Sequence, residues 1–341
     1  MSISLEHRFA GCLLGTAIGD ALGMGYVGRS AAEIQAAGGG SQYVPATGFS
    51  MAISLPVGEY GATEIGQPLE AGQFTEDTQL TIALAQALIE EGGLFVGESW
   101  AHALVRWVNA EPRSSGTSTI QAALQLRTGG VEWDEAADPD GAGSGAAARV
   151  APVGLLYCHD AETRRRVAVT QALVTHGHPD AQAAALAMAE AIALLVAAPS
   201  PTSGTFQGAR FLRNIEEVLR HASPGYEEMA RCITMAADLL ADGVDRSDAL
   251  RVIGCSGWCR EAVPAALYTF ASLPDNPAEA IADAIRLTGG ATDTIGSMTG
   301  ALVGAAHGAS ALPNSWKAEL EESERIADLG TTLAGLSRHI S

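Results

Sequence analysis

Apolar residues recur with helical spacing along most of the chain. Residues 5–23 are predicted to form a first helix, with Phe9, Leu13, Ala17 and Leu22 among its apolar positions. No shift in composition divides the chain, so we predict an all-α fold with a single compact multi-helix domain over residues 1–341. Similar periodicity predicts further helices at 76–91, 97–110, 117–127, 161–174, 180–198, 207–221, 225–241, 246–253, 260–272 and 277–288.

Glycine recurs at every fourth position near both ends of the chain. This spacing places the glycines on one face of a helix, where a second helix can approach closely. Each glycine lowers helix stability by about 1 kcal/mol relative to alanine, so close packing must offset that loss. We therefore predict that two glycine-bearing helices share a central layer. The two sets are Gly11, Gly15, Gly19 and Gly23, and Gly296, Gly300, Gly304 and Gly308.

The composition excludes several classes of protein. Apolar residues make up 47% of the 341 residues and charged residues 17%, which excludes intrinsic disorder. With 5% aromatic residues and 39 glycines, the core is expected to consist of small aliphatic side chains. The net charge of −19 argues against general nucleic-acid binding, which needs a basic surface. It still permits one phosphorylated small ligand, because backbone amides or a divalent cation can hold it.

The cysteines and the N-terminus predict a cytoplasmic protein. The chain has five scattered cysteines, an odd number that does not suggest a disulfide framework and fits a reducing compartment. The apolar run near the N-terminus is interrupted by Asp20 and shows no clear cleavage site. Apolar stretches near 181–198 and 295–312 are rich in alanine and glycine, and we predict no membrane association. The sequence does not indicate an oligomeric state.

Two acidic turns that contain threonine each precede a helix of small residues. In FTEDTQ, Thr75 is a natural N-cap, and Glu76 and Asp77 fall in the first helical turn. In TGGATDT, Asp293 and Thr294 lie at a similar position. Helix capping and complementation of the helix dipole explain each turn taken alone. The alternative is a hard-cation site, because Mg²⁺ and Mn²⁺ take oxygen ligands. The pairing of the two turns favours the cation site.

Three further segments suggest ligand contacts. A turn rich in hydroxyl groups opens the helix predicted at 117–127, where free amides either bind an anion or are simply capped. The segment GAGSGAAARVAPVG allows a sugar or planar ligand to approach closely, and its Arg149 either takes part or forms a structural ion pair. In THGHPD the two histidines are two residues apart, whereas helical metal pairs are spaced by four, so a transition metal is disfavoured. The hydroxyl-rich turn comprises Ser114, Ser115, Gly116, Thr117, Ser118 and Thr119.

Taken in this order, the segments resemble the ADP-ribosylglycohydrolase family. GCLLGTAIGDALG is similar to its opening helix, and FTEDTQLTIALAQAL to its Thr-Asp-Asp-Thr segment. GSGAAARVAPVGL is similar to its Gly-Asn-Gly-Ala-Ala-Met-Arg segment, and VTHGHPDA to its Thr-His turn. GGATDTIGSMTGALVGA is similar to its Gly-Gly-Asp-x-Asp-Thr end. The resemblance runs through most of the chain, and the ordered set of motifs is highly specific.

The resemblance implies an all-α fold around a dinuclear Mg²⁺ or Mn²⁺ centre. The reaction it implies is cleavage of the glycosidic bond between ADP-ribose and a protein side chain, with water oriented by metal and protons handled by carboxylates. Carried over by position, Glu76 and Asp77 are the catalytic carboxylates. The metal-facing residues are Thr75, Glu76, Asp77, Asp293 and Thr294. The residues that contact substrate are Gly116, Thr117, Ser118 and Thr119 at the diphosphate, and Gly143, Ser144, Gly145 and His176 near the ribose and adenosine.

Several positions depart from the family's pattern. Glu76 stands where the family has Asp, and Ala291 replaces the first Asp of the C-terminal motif. Val27 occupies the position of a frequent family glutamate, with Glu33 nearby in the sequence, and Ser144 replaces the usual Asn. We therefore expect one firm cation site and a second that is weak or absent.

Three functions remain open on the sequence. The first is a metal-dependent hydrolase acting on ADP-ribosylated protein or a related ribosyl small molecule. The second is a regulatory pseudo-enzyme that binds ADP-ribose without turnover, suggested by Ala291 and Val27. The third is a structural protein with no nucleotide site. The leaving group is not identified by the sequence.

Overall fold

The computed structural model describes residues 3–46, 68–110, 112–113, 116–202 and 204–340. Over these ranges the chain forms seventeen α-helices and two short 3₁₀ helices, with isolated bridges but no strand. The predicted all-α fold is therefore confirmed. The helices are α1 (Leu5–Met24), α2 (Ala31–Ala36), α3 (Glu76–Glu90), α4 (Gly97–Asn109), α5 (Thr117–Thr128), α6 (Gly145–Ala148), α7 (Ala151–Leu156), α8 (Ala161–Leu173), α9 (Pro179–Ala197), α10 (Gly208–Ala222), α11 (Glu227–Ala241), α12 (Arg246–Ile253), α13 (Cys259–Ser272), α14 (Pro277–Arg286), α15 (Thr292–His307), α16 (Asn314–Glu319) and α17 (Ser323–Ile340).

The glycine faces of α1 and α15 pack directly against each other. A Cβ atom placed on Gly300 would lie 1.9 Å from the carbonyl oxygen of Gly15, and one on Gly304 would lie 1.8 Å from that of Gly11. Only glycine permits such an approach of two backbones. The pairs run in opposite directions along the two helices, so α1 and α15 are antiparallel. The predicted central layer is confirmed.

The core around this pair consists mainly of small aliphatic side chains, as the composition predicts. Alanine, leucine, isoleucine and valine dominate the buried residues. The helix α9 is long and apolar enough to cross a membrane, but 83% of its apolar window is buried inside the protein. It packs against α6, α7, α8 and α15, which is typical of a core helix. All five cysteines are free thiols.

Some elements were not predicted by the periodicity. The helix α17 packs on α1 and α3, and its buried residues Ile326, Gly330, Leu333 and Ala334 do follow helical spacing. The short helix α2 lies in residues 24–72, a stretch rich in glycine, serine, proline and threonine for which the periodicity predicts no helix. Residues 47–67 of that segment lie outside the described residues.

Candidate active site

A buried carboxylate on α1 organises the start of α3. Asp20 is fully buried and accepts hydrogen bonds from the amide and hydroxyl of Thr75, at 3.0 and 2.8 Å. It also accepts from the amide and hydroxyl of Thr78, at 3.0 and 2.6 Å. Thr75 is the N-cap of α3, as predicted, and its hydroxyl oxygen accepts from the Asp77 amide at 3.4 Å. Asp20 therefore fixes the turn that carries the predicted cation ligands.

Four carboxylates from three helices share this buried region. Burial raises the pKa of Asp20 to about 7, and the nearby charge of Asp293 acts in the same direction. Burial and the charges of Asp20 and Asp293 raise the pKa of both Glu76 and Asp77 well above their ordinary values. Burial also raises the pKa of Asp293. So much negative charge in one buried region favours either protonation or a bound cation.

Two carboxylate oxygens of this cluster have no hydrogen-bond partner within the described ranges. Glu76 Oε2 and Asp77 Oδ2 are both buried and unpaired, a state that is unfavourable unless a proton or cation compensates. Asp293 Oδ1, by contrast, accepts from the Thr294 amide at 2.8 Å. The oxygen donors suit Mg²⁺ or Mn²⁺. No three His, Cys, Asp or Glu side chains among the described residues are grouped closely enough to form a ready-made metal site.

Glu76 links the acidic turn at the start of α3 to the hydroxyl-rich turn at the start of α5. Its Oε1 accepts a hydrogen bond from the Gly116 amide at 3.3 Å, so one amide of the predicted anion turn is already used by a carboxylate. In the same turn Thr117 is exposed and Thr119 is buried. The Ser118 hydroxyl donates to Asp138 at 3.2 Å. Ser114 and Ser115 of this turn lie outside the described residues.

His176 lies against Gly143 and Gly145, and together these residues form one wall of the candidate ligand site. A Cβ on Gly143 would lie 3.4 Å from His176 Nε2, and one on Gly145 would lie 3.6 Å from both His176 Cε1 and Thr119 Oγ1. The amide and hydroxyl of Ser144 both donate to the carbonyl of Gly257, at 3.1 and 3.0 Å. Burial, with a contribution from Arg149, lowers the pKa of His176 to about 3, so its imidazole is neutral near pH 7.

Arg149 lies behind this wall, and within the described part of the chain its side chain is held by neutral hydrogen-bond partners. It is fully buried and donates to Gln171 and Thr175. Its guanidinium lies 5.2 Å from the ring centre of Trp100. Among the described residues Arg149 thus has no carboxylate partner within salt-bridge distance, and its bonds tie α8 to the Thr-His turn.

Trp258 is a candidate ligand contact that the sequence analysis missed. Its side chain is 43% exposed, and it forms an isolated bridge with Gly143. Its ring rests on the guanidinium of Arg260 at 5.1 Å, and buried Asp180 holds that guanidinium through a 2.6 Å bond. An exposed aromatic face beside the 143–145 loop is suited to stacking against a base.

The structure shows where the departures from the family's pattern lie. Val27 is half-buried. Glu33 does not take the place of the missing glutamate, because its carboxylate is engaged in a capping box with the amide and hydroxyl of Ser30, at 2.8 and 2.7 Å. Ala291 is the N-cap residue of α15 and provides no side-chain hydrogen bond there. These positions contribute no acidic group to the cluster.

The sequence of the chain is similar to those of known proteins. The family model for ADP-ribosylglycohydrolase matches residues 1–340. A protein of Archaeoglobus fulgidus is 32% identical, with 98% of this chain and 99% of that protein covered. The ADP-ribosylarginine hydrolase Tri1 of Pseudomonas putida is 26% identical, with 96% of this chain and 77% of that protein covered.

A solved structure shows the same fold. It is described as an ADP-ribosylglycohydrolase-related protein complex and is 23% identical, with a TM-score of 0.68. The alignment covers 98% of this chain and 99% of that one. The family match over almost the whole sequence, together with the shared fold, shows that the chain belongs to the ADP-ribosylglycohydrolase family.

Proposed function

We propose that this protein hydrolyses the glycosidic bond that joins ADP-ribose to a protein side chain or to a related small molecule. The observation that carries the proposal is the buried carboxylate cluster with its two unpaired oxygens, Glu76 Oε2 and Asp77 Oδ2. Family membership supports the reaction class. The relative named as an ADP-ribosylarginine hydrolase makes arginine one leaving group to test.

The cluster has the donor chemistry to hold one Mg²⁺ or Mn²⁺ ion. Its ligands would come from Thr75, Glu76, Asp77, Asp293 and Thr294, whose unpaired and crowded oxygens suit a hard cation. When bound, the ion supplies positive charge that orients ribose hydroxyls and a water molecule. A second ion would lack the carboxylate that Ala291 does not provide, so we propose one firm cation and a weak or absent second.

The chain's own groups account for the proton transfers and for binding. One of the two carboxylates, Glu76 or Asp77, accepts a proton from the attacking water in its charged form, which a bound cation would favour over the protonated form. The same carboxyl group then passes this proton to the leaving group as the glycosidic bond breaks, so the proton taken from water ends on the released side chain or small molecule. Trp258 offers its exposed face to the adenine, and the imidazole of His176 lies at the ribose wall.

The second candidate function is a pseudo-enzyme that binds ADP-ribose without hydrolysis. Ala291 and Val27 favour it, since neither provides an acidic group, and Glu33 is engaged elsewhere. In this case the His176 wall and Trp258 still serve binding. The partner is then an ADP-ribosylated protein or ribosyl compound whose bond stays intact.

One experiment separates these functions. Peptides bearing arginine- or serine-linked ADP-ribose are incubated with the protein and Mn²⁺ or Mg²⁺, and released ADP-ribose is quantified by chromatography. We expect release that Asp77→Asn abolishes and that Asp134→Asn, an exposed acidic control, leaves unchanged. Binding of ADP-ribose in calorimetry without release from any substrate identifies the pseudo-enzyme. Absence of both binding and release refutes the proposal.

A further inference from the structure

A chain of buried hydrogen bonds leads from Arg149 to His176. Arg149 Nη2 donates to Thr175 Oγ1 at 2.7 Å, and Thr175 Oγ1 lies 2.7 Å from His176 Nδ1. Arg149 and Thr175 are both fully buried, and His176 is 3% exposed. Arg149 is itself held by Gln171, whose side-chain oxygen accepts from Arg149 Nε at 2.9 Å. The side-chain amide of Gln171 in turn donates to the carbonyl oxygen of Ala146, which follows Gly145 of the wall.

The direction of this chain determines the tautomer of His176. A guanidinium only donates hydrogen bonds, so Thr175 Oγ1 must accept from Arg149. The Thr175 hydroxyl has no acceptor other than His176 Nδ1 among the described residues, so its single proton is donated to that nitrogen. A neutral imidazole that accepts at Nδ1 carries its proton at Nε2. The imidazole is neutral because burial lowers the pKa of His176.

The Nε2 atom of His176 lies beside Gly143, which has no side chain. A Cβ on Gly143 would lie 3.4 Å from Nε2, within van der Waals contact. His176 Nε2 has no hydrogen-bond partner among the described residues, since the only side-chain bond of this histidine is that to Thr175. The glycine thus leaves room for an acceptor atom to reach the N–H group.

We propose that Arg149 and Thr175 are positioning residues that hold His176 as its Nε2–H tautomer, so that it donates one hydrogen bond to a ribose or phosphate oxygen of the ligand beside Gly143. This inference rests on the proposed function for the identity of the ligand. The tautomer itself is a property of the free protein and is measured without any ligand.

The test uses Thr175→Val, which keeps the shape of the side chain but removes the hydroxyl, and Thr175→Ser, which retains it. In protein labelled with ¹⁵N-histidine, long-range ¹H–¹⁵N correlation spectra report which ring nitrogen is protonated. The His176 signals are assigned by their absence in His176→Gln. We expect Nε2–H in the wild type and in Thr175→Ser, and a mixture of tautomers in Thr175→Val. Thermal melting followed by circular dichroism checks that each variant is folded.

Calorimetric titration with ADP-ribose tests the second half of the inference. We expect Thr175→Val to bind about three- to tenfold more weakly, the loss of one neutral hydrogen bond, and Thr175→Ser to bind like the wild type. Gly143→Ala should also weaken binding but leave the tautomer unchanged, because the new Cβ covers Nε2 without touching Thr175.

The outcomes distinguish this inference from the proposed function. An Nδ1–H tautomer in the wild type, or unchanged spectra in Thr175→Val, overturns the positioning role. A changed tautomer with unchanged affinity overturns the donor role of Nε2. If the wild type does not bind ADP-ribose but shows Nε2–H, the proposed function fails, the donor role fails with it, and the positioning role stands.

Discussion

The buried carboxylate of Asp20 predicts that the metal-free protein loses stability as the pH rises. Its pKa is about 7 in the folded protein against an ordinary value of 3.8. The folded state therefore binds the proton more tightly than the unfolded chain. Below about pH 4 both states are protonated and the group has no effect. Stability then falls as the pH rises through about 7, and it is constant above that.

The size of the effect follows from the same two values. A tenfold difference in proton affinity corresponds to about 1.4 kcal/mol, so Asp20 alone lowers the free energy of unfolding by about 4 kcal/mol across this range. Burial also raises the pKa of Glu76, Asp77 and Asp293, and these groups act in the same direction. A bound cation favours the charged carboxylates, so Mn²⁺ should remove much of the loss.

Urea unfolding in the presence of a chelator, at intervals between about pH 4 and about pH 8, measures this dependence. Asp20→Asn is the matched control, because it removes the titrating group but keeps the size of the side chain. We expect a shallower decline in the variant and, in the wild type, recovery with excess Mn²⁺. Equal slopes in the two proteins, or wild-type stability that does not fall with pH, would refute the electrostatic reasoning.

Three further predictions concern the helix pair, the exposed aromatic and the missing ligand. Gly300→Ala should lower the free energy of unfolding by about 3 kcal/mol or more, because its Cβ would lie 1.9 Å from Gly15 O. The control Gly335→Ala has open space around the new Cβ and should stabilise the protein by up to about 1 kcal/mol. Equal urea unfolding midpoints for the two variants would contradict this reasoning. Trp258→Ala should weaken ADP-ribose binding in calorimetry by at least about fivefold while Trp258→Phe retains it, because stacking on a base contributes about 1–3 kcal/mol; unchanged affinity in the alanine variant would exclude stacking. Ala291→Asp should tighten Mn²⁺ binding, measured by calorimetry, and an unchanged affinity would show that position 291 does not face the cation.

The features that sequence analysis identified correctly are those encoded locally. Glycines at every fourth residue indicate close helix packing whatever the partner is, and their recurrence in Gly15 and Gly300 identified the partner as well. Thr75 was identified as an N-cap because capping depends on residues adjacent in the sequence. Periodicity located most of the long helices for the same reason.

The features that were missed depend on contacts between distant segments. Asp20 interrupts an apolar run, and only its bonds to Thr75 and Thr78 show that it organises a turn 55 residues away. Trp258 is an exposed platform because Arg260 reaches Asp180, 80 residues earlier. In each case the residue type is visible in the sequence, but its partner is determined by the fold.

The pairing of α1 with α15 has a consequence for how the chain is made. Thr292, at the start of α15, donates to the carbonyl of Gly23, at the end of α1, across 269 residues. At ribosomal rates of about 5–20 residues per second, α1 waits on the order of tens of seconds for its partner. Asp20 and Asp293 meet only when these helices pair, so the carboxylate cluster is among the last parts of the molecule to assemble. A nascent chain that stops before α15 holds most of the helices and no complete site.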